Sequence, residues 1–97
     1  MTEEVREVTL RVGIRADKVA FTIGHPEPAV TRTVTALIVR AGAGYRGYSL
    51  QHAGDVMVVY DLDGKRMKVS PRDFAEAIRM HIEREGFQVT ANVQEHN

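Results

Sequence analysis

"PAVTRTVTALIVRAG", Pro28 to Gly42, is the stretch on which the fold turns. Val30, Val34, Leu37, Ile38 and Ala41 fall at helical spacing. Pro28 suits a first helical turn, and Gly42 suits the position just past a helix end. Against this, Thr31, Thr33, Val34, Thr35, Ile38 and Val39 are β-branched, which lowers helix propensity. The spacing predicts a helix over 28–41, with a strand as the alternative. In the helix, Val39 points opposite Val30 and Ala41, towards solvent, and becomes a candidate association surface.

Upstream, Val8, Leu10, Val12 and Ile14 alternate with Glu7, Thr9, Arg11 and Gly13, the period of a half-buried strand. "RAD" offers a turn, and Val19, Phe21 and Ile23 resume the alternation. A hairpin with strands near 5–14 and 18–23 follows, closed by a loop at "GHPEP", where two prolines stop a sheet.

Downstream, "VMVVYDL" and "KRMKV" flank Asp63-Gly64, a pair that favours a two-residue type I′ hairpin turn. That register pairs Asp61 with Arg66, Tyr60 with Met67 and Val58 with Val69. It puts Val58, Tyr60, Leu62, Met67 and Val69 on one covered face.

The strongest helix signal is "SPRDFAEAIRMHIEREG", Ser70 to Gly86. Ser70 can cap, Pro71 takes the first position and Asp73 follows three residues after the cap. Phe74, Ala77, Ile78, His81 and Ile82 form its apolar stripe. Arg72–Glu76 and Arg79–Glu83 stand at i,i+4 on its wet side. Gly86 ends it, and Phe87, Val89, Ala91 and Val93 alternate as a final strand, leaving 94–97 as a free tail.

With the short segment at 45–51 set aside, the order reduces to βαββαβ preceded by an extra strand. The expected architecture is a single α+β domain, a ferredoxin-like two-layer sandwich with both helices on one face of an antiparallel sheet. Its last strand, "FQVTANVQ", carries neither proline nor lysine to discourage edge pairing, so a homodimer is expected, with Gln88, Thr90 and Asn92 on the association surface.

Ninety-seven residues hold one core, and thirteen basic residues cancel thirteen acidic ones, against duplex DNA binding by bulk charge. There is no cysteine, hence no disulfide, zinc-thiolate site or thiol nucleophile. No apolar run reaches membrane-spanning length and the acidic start does not resemble a secretory signal, so a cytoplasmic location is expected.

One stretch departs from this even balance. Thr31 to Gly54 carries Arg32, Arg40 and Arg46 and no acid, and within it lies the Gly- and Tyr-rich "RAGAGYRGYSLQH". Glycine-rich turns can cradle anions, arginine adds a two-pronged donor and tyrosines can stack on bases. Arg32, Arg40, Tyr45, Arg46, Tyr48 and His52 are therefore the candidate contacts for nucleic acid or a phosphate ligand. The competing reading is a helix exit followed by a strand with Tyr48 and Leu50 turned inward. "GAGYRG" has neither Walker nor dinucleotide-loop spacing.

RNA-recognition motifs share the βαββαβ order but need aromatics where "KRMKV" has none. "EGFQV" looks similar to the strand entry of ligand-sensing ACT-type domains, while "HPEPA" stands where their Asp-x-x-Gly entry belongs. The four histidines show no metal-ligand spacing. The expected function is a small, non-catalytic macromolecule-binding module without cofactor. Its partner is expected to be a protein, which it would serve as regulator, inhibitor or adaptor. Nucleic-acid or phosphate binding comes second, and a small-molecule sensor or small enzyme third.

Overall fold

The structure, a computed structural model, describes residues 6–96. Its elements are β1 (Glu7–Arg15), β2 (Lys18–Gly24), α1 (Pro28–Gly42), β3 (Tyr48–Ala53), β4 (Met57–Leu62), α2 (Pro71–Arg84) and β5 (Gln88–His96). They form an α+β domain with one five-stranded sheet in the order β3-β4-β2-β1-β5. Residues 5 and 97, which the expected first strand and tail included, lie outside the described part.

Pro28–Gly42 is a helix despite its β-branched residues. Thr31, Thr33 and Thr35 turn their hydroxyls back onto the carbonyls of Glu27, Ala29 and Thr31, at 3.3, 3.0 and 2.8 Å. Val34 and Ile38 are completely buried, and burial outweighs the few tenths of a kcal/mol of propensity at stake. Val39 does not face open solvent. It is half-buried against the core, and its carbonyl accepts from the Tyr60 hydroxyl at 3.3 Å.

The sheet is mixed, not antiparallel as expected, and its order is not the plain ferredoxin one. β1 hairpins onto β2 through Ala16 and Asp17 and thereby enters the sheet between β2 and β5. Its direction makes β5 run parallel to it, from Glu7↔Gln88 to Arg15↔His96. Gln94, Glu95 and His96 are therefore sheet residues and not a free tail. Val8, Leu10, Val12 and Ile14 of β1, Val19, Phe21 and Ile23 of β2, and Val58 and Tyr60 of β4 all point to the side that carries both helices.

The hairpin expected at Asp63-Gly64 is absent. A strand has two edges, and both edges of β4 are taken: Val58 lies opposite Phe21 on one side and Ala53 on the other. Tyr60 pairs with Val19 and Leu50, and Asp61 pairs with Lys18 and Ser49. Residues 63–67 instead close a helical-type turn in which Arg66 N and Met67 N donate to Asp63 O at 2.9 and 2.8 Å. Leu62, Met67 and Val69 still pack against the core, as their apolar pattern required.

Helix α2 begins as read, with Ser70 Oγ accepting from Asp73 N at 3.1 Å. Its fully buried residues are Phe74, Ala75, Ile78 and Ile82, while Ala77 and His81 are half-buried. Arg79 pairs with both Glu76 and Glu83. Arg72 does not reach Glu76: its Nε bonds Glu95 Oε1 of β5 at 2.7 Å.

Two glycines separate this structure from the expected hairpin. Gly47 has φ +86, and a Cβ there would sit 2.5 Å from the backbone of Met67; Gly64 has open space around it. Gly47→Ala is expected to lower stability by more than Ser70→Ala, whose lost cap costs about 0.5–2 kcal/mol. Gly64→Val is expected to cost under about 0.5 kcal/mol, as an open surface change does. Chemical denaturation of the three variants checks the ranking. A Gly64→Val cost exceeding that of Gly47→Ala would restore the hairpin.

Candidate functional site

The tyrosines of the glycine-rich stretch belong to the core. Tyr48 stacks on Phe74, with ring centroids 3.9 Å apart and planes inclined by 18°. Tyr45, half-buried, meets the same ring edge-on at 5.2 Å. The Tyr48 hydroxyl donates to Val69 O, which ties the start of β3 to the segment ahead of α2. Burial, with the Asp73 charge adding to it, pushes the Tyr48 phenol up to about 12. Neither ring stands out as a platform for a base.

The other four candidates of that stretch are scattered. Arg32 and Arg40 lie on the exposed side of α1, and His52 faces away from the helices on β3, opposite Val59. Arg46 joins a recess. Held outward between Tyr45 and Tyr48, it lines a cleft of about 540 Å³ with Gly47, Lys65, Arg66, Met67 and Lys68. Lys65, Arg66 and Lys68 were missed in the sequence because "KRMKV" reads as a strand. Recognising that segment as a loop beside Arg46 would have brought the four cations together.

Among the described residues two sheet edges are open, and they differ. β3 is six residues long with a bulge between Leu50 and His52, devices that blunt an edge. β5 is nine residues long and its register to β1 is unbroken. Gln88 N donates to Arg6 O at 2.8 Å, on the β1 side. Since backbone groups alternate along a strand, Thr90, Asn92, Gln94 and His96 also face β1. Val89, Ala91, Val93 and Glu95 then direct their N–H and C=O groups to the bare side.

The side chains of Gln88, Thr90 and Asn92 form an exposed row on the face away from the helices. Beside that row, Arg11, Gly13, Ala20, Thr22, Asn92 and Gln94 bound an open trough of about 690 Å³, shallow in side chains because Gly13 and Ala20 are small. On the helix side, Val93 remains 38% exposed where β5 runs past α2. Ala75, Ala91 and Val93 line a smaller recess there, with Arg72 and Arg79 at its rim.

Among the described residues no group of three His, Asp or Glu side chains could hold a metal ion. No helix of the described residues is long and apolar enough to cross a membrane. His25 Nδ1 accepts from Glu27 N at 3.0 Å and shapes the loop before α1. His81 Nε2 is buried without a hydrogen-bond partner among the described residues.

No family model and no curated protein matches this chain. Among solved structures, the chain is similar to an essential ribosomal processing protease, Prp, from S. aureus, crystallised with a substrate peptide. The TM-score is 0.43 and the identity 5%, over 90% of this chain and 99% of that one.

Removing the Tyr48 hydroxyl tests its structural role. Tyr48→Phe is expected to cost about 0.5–1.5 kcal/mol at neutral pH through the lost bond to Val69. A phenol whose folded pKa is raised contributes stability below its unfolded value near 10 and loses it as pH climbs through the folded value near 12. The variant's stability should therefore fall less steeply between pH 10 and 12 than the parent's. The fall that remains includes Tyr60, which burial also raises, and Lys18, which its hydrogen bond to Asp61 raises. Urea titrations across that range measure both effects.

Proposed function

We propose that this chain is a non-catalytic, cytoplasmic protein-binding module that takes a partner strand on the bare edge of β5. The first such partner is the β5 of a second copy, in a homodimer, and the edge equips the module to act as regulator, inhibitor or adaptor. The observation that carries this reading is the contrast between the two edges. β3 is short and bulged, while β5 is long, regular and free of proline and lysine. An edge of that kind presents main-chain donors and acceptors in register for an extended segment.

The residues favour a particular pairing. An antiparallel two-fold centred on Asn92 uses all nine residues of β5. It sets Ala91 against Val93 and Val89 against Glu95, the pairs whose backbone groups face outward. Gln88 then lies opposite His96, Thr90 opposite Gln94, and Asn92 opposite its own copy. No like charges meet, and Ala91 of the partner covers the exposed Val93. Glu95 is already engaged by Arg72 at 2.7 Å.

Asn92 is exposed, so charging it leaves the isolated fold in place, with Lys less favourable than Asp opposite Arg11 of β1. Across the two-fold, however, two equal charges would stand directly opposite one another. Asn92→Lys and Asn92→Asp are each expected to be monomeric at high micromolar concentration in light scattering, where the parent is a dimer. Mixing the two variants is expected to restore the dimer as a heterodimer. A monomeric parent, or variants that dimerise as well as the parent, would defeat the proposal.

A further inference from the structure

The cleft between the 46–48 and 63–69 stretches concentrates charge in a chain that is neutral overall. Arg46, Lys65, Arg66 and Lys68 surround it. The one acid of the 63–69 stretch, Asp63, is engaged within its own turn. Its Oδ1 accepts from Lys65 N at 3.2 Å and its Oδ2 lies 3.8 Å from Arg66 Nε. Arg46, Lys65 and Lys68 form no ion pair among the described residues.

The fold itself holds these cations together. Asp63 N donates to Gly47 O at 2.7 Å, and the Tyr48 hydroxyl donates to Val69 O. Gly47, at φ +86, lets the Met67 backbone approach so closely that no side chain would fit between. Met67, packed on the core, lies between the cations as part of the cleft wall. Four positive groups so placed repel one another unless an anion lies among them.

We infer that this cleft binds a compact phosphoanion with two adjacent phosphoryl groups, as in a diphosphate ester. Two guanidinium groups supply planar two-pronged donors and two ammonium groups supply mobile point charges, the usual complement for phosphoryl oxygens. The cations ring one recess and do not run along a track, since Arg32 and Arg40 lie outside its lining. Tyr45 and Tyr48 are packed on Phe74, so recognition is by charge and not by base stacking. A compact ligand fits this arrangement better than a nucleic-acid chain.

Titration calorimetry of the whole chain with inorganic pyrophosphate tests the inference. Binding is expected, weakening as salt rises and weaker for orthophosphate. Arg46→Ala and Lys68→Ala, exposed changes that leave the melting temperature in place, should each weaken it about tenfold, the scale of one lost charge-assisted bond. Arg32→Ala and Arg40→Ala should leave it unchanged. No heat with pyrophosphate, or equal binding by Arg46→Ala, would overturn the inference. So would tighter binding of a single-stranded oligonucleotide with loss on Arg32→Ala or Arg40→Ala, which would mean a track and not a cleft.

Discussion

Phe74 is the contact point of almost everything in this domain. Its ring meets Phe21 of β2, Tyr60 of β4, Tyr48 of β3 and Tyr45 of the connection ahead of β3. Each such aromatic pair adds about 0.5–1.5 kcal/mol beyond the area it buries. Through Tyr60, whose hydroxyl reaches Ile38 O at 3.1 Å, the cluster also reaches α1. Gly42 is required beside it, because a Cβ there would collide with the Tyr60 ring. With Tyr45 and Tyr48 both turned inward onto one ring, Arg46 between them faces outward.

The second constraint is topological. Inserting β1 between β2 and β5 does two things at once. It pushes β5 to the outside of the sheet as a long parallel strand with one bare side. Meanwhile β2 and β3 fill both edges of β4, so the residues after Leu62 have no strand to join and close into a turn against Gly47. The bare β5 edge and the cationic cleft thus follow from one strand order, although they lie at opposite ends of the sheet.

Local patterns in the sequence mostly survived folding. The alternation at Val8–Ile14 and the Ser70 cap are decided by neighbours within a few residues, whereas the inward Tyr48 and the glycine at 42 were legible as pattern but are held by Phe74, Val69 and Tyr60. Asp63-Gly64 shows where such reasoning stops. Its turn chemistry suits a hairpin, but whether residues 65–69 can pair depends on β2 and β3, distant in sequence, which already occupy both edges of β4. The same non-local pairing turned the supposed tail into sheet, because Gln94–His96 find Gly13–Arg15. Arg46 was visible as a candidate, while Lys65, Arg66 and Lys68 were hidden by their assignment to a strand. Arg72 was read against Glu76 for a related reason: helical spacing is legible, and a carboxylate on a distant strand is not.

The claim that β5 is an edge built to be occupied is tested most directly by amide hydrogen exchange along that strand. At low concentration Thr90, Asn92 and Gln94 should be protected by β1, and Val89, Ala91, Val93 and Glu95 should exchange rapidly. At high concentration those four should become protected too, as a partner strand takes their N–H groups. If they stay unprotected at every concentration while the alternate residues remain protected, the edge is bare in solution and the account of this surface is wrong.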